Sequence, residues 1–93
     1  MFLDPTCWLD DHDYPGSNIA NKCGAGHKAN SLSECQVKCQ QHVECEGFLY
    51  LKETFNEVNA EQRRKTCCLK RSIVYSAFPR QGTIASNKYC RGK

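Results

Sequence analysis

The clearest local pattern opens at Ser31-Leu32-Ser33-Glu34, an S-x-x-E capping box in which a serine hydroxyl and a glutamate carboxylate each satisfy a backbone N–H left free at a helix start. Leu32, Cys35, Cys39 and Val43 then recur at i, i+3, i+7 and i+11. They form one apolar stripe, with glutamine, lysine and glutamate on the other faces, and predict a helix ending near Val43 or Glu44. Gly47-Phe48-Leu49-Tyr50-Leu51 follows, rich in β-favouring residues. Phe48 and Tyr50 face one way and Leu49 and Leu51 the other, so the segment reads as a central strand that is apolar on both faces. Thr66-Cys67-Cys68-Leu69-Lys70 predicts an antiparallel partner for it. Ile73-Val74-Tyr75 and Thr83-Ile84-Ala85 are candidate further strands, with Pro79 and Gly82 marking a break between them. At the front, Cys7-Trp8-Leu9 suits a short strand, and Asp10-Asp11-His12-Asp13 an acidic turn closed by Pro15-Gly16. Residues 52–65, KETFNEVNAEQRRK, are mostly charged or amide and predict a solvent-exposed excursion with a helical turn.

Length and cysteine content narrow what these elements can build. Ninety-three residues make one small domain, which rules out a two-domain enzyme. Eight of them are cysteine. A chain this short buries only about 60% of its unfolded surface, so cross-links are an expected source of stability. An even cysteine count fits an oxidising compartment. No run of apolar residues is long enough to span a bilayer, and no membrane insertion is expected. Met1-Phe2-Leu3-Asp4-Pro5-Thr6 has neither the basic start nor the apolar run of a signal peptide, so the chain reads as one module of a longer secreted protein. There is no Asn-x-Ser/Thr sequon.

Eight half-cystines admit 105 pairings, and spacing alone does not choose among them. Cys35 and Cys39 lie one helical turn apart on one face. A bond between them would tie the helix only to itself, so each is expected to reach the adjoining sheet, with Cys45 six residues beyond Cys39 across the helix-to-strand turn. Adjacent Cys67 and Cys68 must point to opposite faces of a strand, so at most one faces the helix.

Charge adds an asymmetry. Residues 1–61 carry all ten acids against four lysines, and residues 62–93 carry nine lysines and arginines and no acid. A basic surface of this kind attracts sulfated glycans, acidic proteins or nucleic acid. The opposing expectation, which we favour, is that folding sets the basic C-terminal strands against the acidic N-terminal segment and cancels much of the field. The run Arg63-Arg64-Lys65, together with Lys70, Arg71 and Tyr75, is the candidate ligand-binding set, with a heparin-like glycan outside the cell as the electrostatic match. A disulfide framework argues against a nuclear setting, and no nucleic acid is expected as partner.

Catalytic and metal chemistry find little support. A zinc site built from Cys35, Cys39, Cys45 and His42 lacks any C-x2-C pair. Asp10, Asp11 and Asp13 lack the glycine and the distal glutamate of a calcium loop, and as paired carboxylates for hydrolysis they share one exposed turn. His12, His27 and His42 sit in no cysteine-nucleophile motif and are read as surface histidines. No catalytic residue, metal or cofactor is assigned. Trp8, Phe48, Tyr50 and Tyr75 are expected in the core, and Tyr89 in a structural role beside Cys90.

Taken together, C-x3-C on a helix, then Cys45-Glu46-Gly47-Phe48-Leu49-Tyr50, then Cys67-x-Leu69-Lys70, resemble the PAN/apple module. Cys7 with Asp13-Tyr14-Pro15-Gly16-Ser17-Asn18-Ile19 is similar to the opening of that family, especially in the micronemal adhesins of apicomplexan parasites, and Gly82-x-x-x-Ser86 with Cys90 is similar to its closing strand. The resemblance implies an α+β, disulfide-rich fold: an antiparallel sheet of about five strands cradling one helix, spanning residues 7–90, with 1–6 an extension and 91–93 a tail. It implies the bridges Cys7–Cys90, Cys35–Cys67 and Cys39–Cys45. Cys23 and Cys68 remain as a fourth pair, a departure from the family's usual three that rests on the opposite-face argument for Cys68. It also implies a non-catalytic module that contacts another protein or a host-surface receptor, with binding of a glycan or glycosaminoglycan as the alternative, in a secreted protein of the kind stored in micronemes.

The chain-entropy model assigns about 4.6 kcal/mol to the loop closed by Cys7 and Cys90, against roughly 2.3 kcal/mol for the short loop ending at Cys45. Small domains have net stabilities of about 5–15 kcal/mol. Cys90→Ala is therefore expected to lower the melting temperature markedly; a variant melting within a few degrees of wild type would refute the assignment.

Overall fold

The computed structural model describes residues 8–14, 17–24, 26–72 and 78–90. Within them the chain forms β1 (Leu9–Asp13), α1 (Leu32–Gln40), β2 (Gly47–Leu51), α2 (Ala60–Arg63), β3 (Cys67–Lys70) and β4 (Phe78–Asn87). The four strands make one antiparallel sheet in the order β1-β4-β2-β3. The candidate strand Ile73–Tyr75, which would make a fifth, falls outside the described residues, as does Cys7.

Helix α1 starts where the capping box places it: the Ser31 Oγ accepts the Glu34 N–H at 3.1 Å. It ends earlier than its stripe suggests, at Gln40, and Val43 is 92% exposed. The reason lies in Cys39–Cys45, whose Cα atoms are 5.3 Å apart: the chain must turn back within six residues, so Val43 rides on the outside of that turn. Gln36 and Gln40 donate to the carbonyls of Cys90 and Lys88, tying the polar side of the helix to the C-terminal segment.

Every residue of β2 is buried, and the strand is hydrogen-bonded on both edges, Phe48 opposite Leu69 and Ser86, and Leu49 opposite Cys68 and Ala85. Its alternation sorts the interior into two layers. On the helix side Phe48 and Tyr50 join Ile19, Ala29, Cys35, Cys39, Cys45, Cys67 and Leu69, and the Tyr50 hydroxyl donates to the Ala29 carbonyl at 3.0 Å. On the far side Leu49 and Leu51 join Phe55, Cys68 and Ala85. The bridges follow the same division. Cys35–Cys67 and Cys39–Cys45 hold the helix side, while Cys23–Cys68 pins the middle of the 17–29 segment, at Cys23, on the far side. Cys90 is buried and oxidised.

That segment also seals the outer edge of β3. Ile19 N–H donates to Leu69 O, Leu69 N–H to Lys22 O, and Cys67 N–H to His27 O, at 2.8–2.9 Å, leaving the ladder's N–H and C=O groups paired. The His27 Nδ1 adds a 2.6 Å bond to the Cys67 carbonyl, so this half-buried histidine is a strut of the edge rather than a free surface group.

Two readings of the front and back strands are corrected. The acidic stretch expected as a turn is strand β1 itself, and Asp13 is only 5% exposed. Likewise Pro79 and Gly82 do not end a strand; β4 runs through both. The interruption is absorbed as a bulge: Asp10 pairs with Ile84 but His12 with Pro79, leaving Asp11 alone opposite Arg80–Thr83. Asp11, at φ 56°, accepts the Gly82 N–H on its Oδ1 at 2.8 Å, and Gly82, at φ 85°, passes its carbonyl to Lys52 N–H. Pro79 lies in the part of β4 beyond β2, where it has a neighbour on one side only. Tyr89 is 37% exposed and lies under the Lys88 ammonium rather than in the core.

The 52–65 excursion contains the expected helical turn, α2, but it is not merely solvated: Phe55 is fully buried and caps the far-side layer. Gly82 is what lets it approach. A Cβ there would stand 2.5 Å from Phe55 Cα and 2.9 Å from Phe55 N, both backbone atoms. With the positive φ added, Gly82→Ala is expected to cost roughly 2–4 kcal/mol. Urea unfolding should show a lower midpoint at unchanged slope; a loss under about 0.5 kcal/mol would mean that the excursion does not rest on this glycine.

Candidate functional site

The alternation that buries Cys67 and Leu69 toward the helix points Thr66, Cys68 and Lys70 the other way. There, with Leu49 and Leu51 as the floor, they line a cleft of about 170 Å³ on the helix-free face. Asp13 enters from β1, Arg80 from the bulged part of β4, Arg63 from α2, and Asn18, Cys23 and Gly24 from the segment held down by the Cys23–Cys68 bridge.

Its polar groups form a chain of charges. Arg80 Nη1 donates to Asp13 Oδ2 at 2.7 Å, and its Nε and Nη2 grip both oxygens of Glu57 at 2.9 and 3.0 Å. The Lys70 ammonium donates to Asn18 Oδ1 at 3.1 Å and stands 4.0 Å from Asp13 Oδ1, beyond hydrogen-bonding distance. The Arg63 and Arg80 guanidinium groups lie over the Phe55 ring, 4.9 and 5.5 Å from its centre. Three cations thus face one carboxylate among the lining residues. Two buried side-chain atoms of the lining, Asp13 Oδ1 and Thr66 Oγ1, have no hydrogen-bond partner among the described residues.

Burial holds the Lys70 ammonium below the ordinary lysine value; the Asp13 carboxylate opposes this and the Arg80 guanidinium adds to it. The Arg80 hydrogen bonds pull the Glu57 carboxyl below its usual range, and Glu57 in turn holds Arg80 high. Such an arrangement is suited to binding. The three cysteines a zinc site would draw on are spent in disulfides, and the acids of the 10–13 stretch are already engaged: Asp10 and Asp11 share Lys52, Asp11 also accepts the Gly82 N–H, and Asp13 pairs with Arg80.

With this geometry in place, the comparison with known families is decisive. The model of the PAN domain matches residues 11–91. The chain belongs to the PAN domain family. No curated protein matches it. PAN domains are non-catalytic interaction modules that bind proteins or carbohydrates. Disulfides in this number point to an extracellular or secreted setting. Among the described residues, no helix is long and apolar enough to cross a membrane.

In this PAN domain the basic residues singled out by sequence are dispersed. Arg63 lines the cleft and Lys70, 5% exposed, lies in its wall. Arg64 turns inward and donates from Nε to the Phe55 carbonyl at 3.0 Å; Lys65, at φ 67°, stands 3.6 Å from Glu53. Arg71 is exposed past the end of β3, and Tyr75 lies outside the described residues. The run 63–65 therefore does not present one continuous basic face. Sequence reasoning missed Asp13, Asn18, Thr66 and Arg80. The signal for Thr66 was present, since it shares the strand parity of Cys68; Asp13 and Arg80, 67 positions apart, meet only through the β1–β4 pairing.

Lys70 provides a pH test. Its folded value lies below the unfolded one near 10.4, so between the two the unfolded chain binds more protons and this group's contribution to stability rises with pH. Tyr50 and Lys52, both held above their ordinary values, pull the other way. The wild-type curve minus that of Lys70→Met is therefore expected to climb as pH approaches 10, read from urea midpoints; a flat or falling difference would refute the buried-ammonium account.

Proposed function

We propose that this PAN domain, as a single module over residues 7–90, is an extracellular recognition unit of a longer secreted protein and contacts another protein or a host-surface receptor, as the adhesion modules of micronemal proteins do. The supporting observation is the division of labour between the two faces. One is closed by a helix and two disulfides, whereas the other presents a walled, cationic cleft on the same rigid sheet. Recognition benefits from such preorganisation, because groups already locked in place lose little freedom on binding.

A second reading, carbohydrate recognition, is favoured by one feature, the two buried polar atoms of the cleft lining that lack partners among the described residues, Asp13 Oδ1 and Thr66 Oγ1. A cleft of about 170 Å³ lies below the roughly 300–1,000 Å³ of drug-sized sites and suits one small polar unit.

Binding of the folded domain to cells separates the two. Loss after surface proteolysis supports a protein receptor; loss after glycosidase treatment supports the carbohydrate reading; no cell binding under either condition would overturn both. A glycan array at varied salt gives the electrostatic arm. Retention on sulfated glycans that vanishes at a few tenths molar salt marks exposed charge contacts, which are screened over about 8 Å at physiological ionic strength. Replacing Arg63, Arg64 and Lys65 by serine is expected to weaken heparin retention; unchanged retention would remove these residues from the site.

A further inference from the structure

The cleft on the helix-free face makes three chemical demands that the described residues do not meet. The first is for negative charge. Arg63, Lys70 and Arg80 line it against Asp13, the one carboxylate among its described lining residues, and the neighbouring Glu57 has both oxygens engaged by Arg80. The second is for a donor. Asp13 is 95% buried with Oδ2 held by Arg80, while Oδ1 receives no hydrogen bond from the described residues and stands 4.0 Å from the Lys70 ammonium. A buried carboxylate oxygen without a donor costs free energy that a ligand hydroxyl would recover. The third concerns Thr66, 96% buried, whose hydroxyl likewise has no partner among the described residues and can donate or accept.

We propose that the cleft binds a hydroxylated carboxylate of single-ring size, the chemistry of an acidic monosaccharide unit such as a hexuronate. The inference rests on the carbohydrate reading above and names its ligand class. The carboxylate meets Arg63 and Lys70. One ring hydroxyl donates to Asp13 Oδ1, and another pairs with the Thr66 hydroxyl. Neutral sugars satisfy the last two groups and leave the cations unmatched; simple carboxylates do the reverse. Size argues in the same direction. A cleft of about 170 Å³, below the roughly 300–1,000 Å³ of drug-sized sites, has room for one ring and not for a peptide segment.

The test is a titration of the intact folded domain, followed by amide chemical shifts, with D-glucuronate and D-galacturonate as probes. Glucose and galactose serve as neutral counterparts, acetate as the bare carboxylate, and a glutamate-rich peptide as the protein-derived acid. Saturable shifts are expected at the amides of Asp13, Thr66, Lys70 and Arg80 with one of the uronates. Its neutral counterpart and acetate should bind at least tenfold more weakly. Thr66→Val keeps the shape of a side chain whose hydroxyl has no partner among the described residues, so the fold should stand, and it is expected to weaken uronate binding about tenfold. Arg63→Gln, at the rim, should do the same. No cleft shift from either uronate at concentrations on the order of 10 mM, where even a millimolar complex is mostly formed, overturns the proposal. So does equal binding by acetate or by the peptide, or uronate binding indifferent to both substitutions. A neutral sugar that binds as well as the uronate, with loss in Thr66→Val, would overturn the acidic class and leave the carbohydrate reading standing. Glycosidase-sensitive cell binding without any uronate shift would separate the two in the same sense.

Discussion

The rest of the structure depends on a strand that has no exposed side. Five consecutive buried residues, Gly47–Leu51, alternate across the sheet, so two apolar surfaces must be covered at once, and a chain of 93 residues has little material with which to do it. One nine-residue helix covers the first surface, and it stays there because Cys35 and Cys39 are bonded to Cys67 and Cys45. The second is covered by pieces: Phe55 from the excursion, Ala85 from β4, and the segment around Cys23 fastened by Cys68. Small domains that cannot bury enough apolar surface rely on cross-links of this kind.

The cleft follows from that difference in covering. A helix spans its side of the sheet continuously, whereas the pieces on the far side meet imperfectly and leave a gap. Because Thr66 and Lys70 share the strand parity of Cys68, and Asp13 and Arg80 arrive on the paired strands β1 and β4, the gap is walled by polar and charged groups. The same walls join acids of the first sixty-one residues to bases of the last thirty-two, through Asp13 with Arg80 and Lys70 and through Glu57 with Arg80, so part of the C-terminal basic charge is paired within the fold.

The glycine at position 82 shows how closely covering and geometry are linked. Its positive φ makes the bulge that brings Arg80 to Asp13, and its missing Cβ makes room for the backbone of Phe55. One residue therefore helps set both the far-side layer and the charge pair beside it.

Much of this was legible in the residues. The cap at Ser31, the central character of Gly47–Leu51, its pairing with Cys67–Lys70 and the opposed directions of Cys67 and Cys68 all follow from periodicity and capping, which are local properties with strong steric causes. Three bridges agree with the family resemblance and with the opposite-face argument. Other features were decided only by the fold. Helix α1 stops at Gln40 despite an apolar Val43, because a disulfide turns the chain; an acidic stretch that looks like a turn is a strand, because β4 lies beside it; and Phe55, alone among charged neighbours, is core, because a glycine twenty-seven positions away makes room. The ion pairs of the cleft belong to this second class. Alternation and caps act over a few neighbouring residues, whereas Asp13 and Arg80 are brought together by the register of two strands at opposite ends of the chain, a distance over which no local pattern carries information.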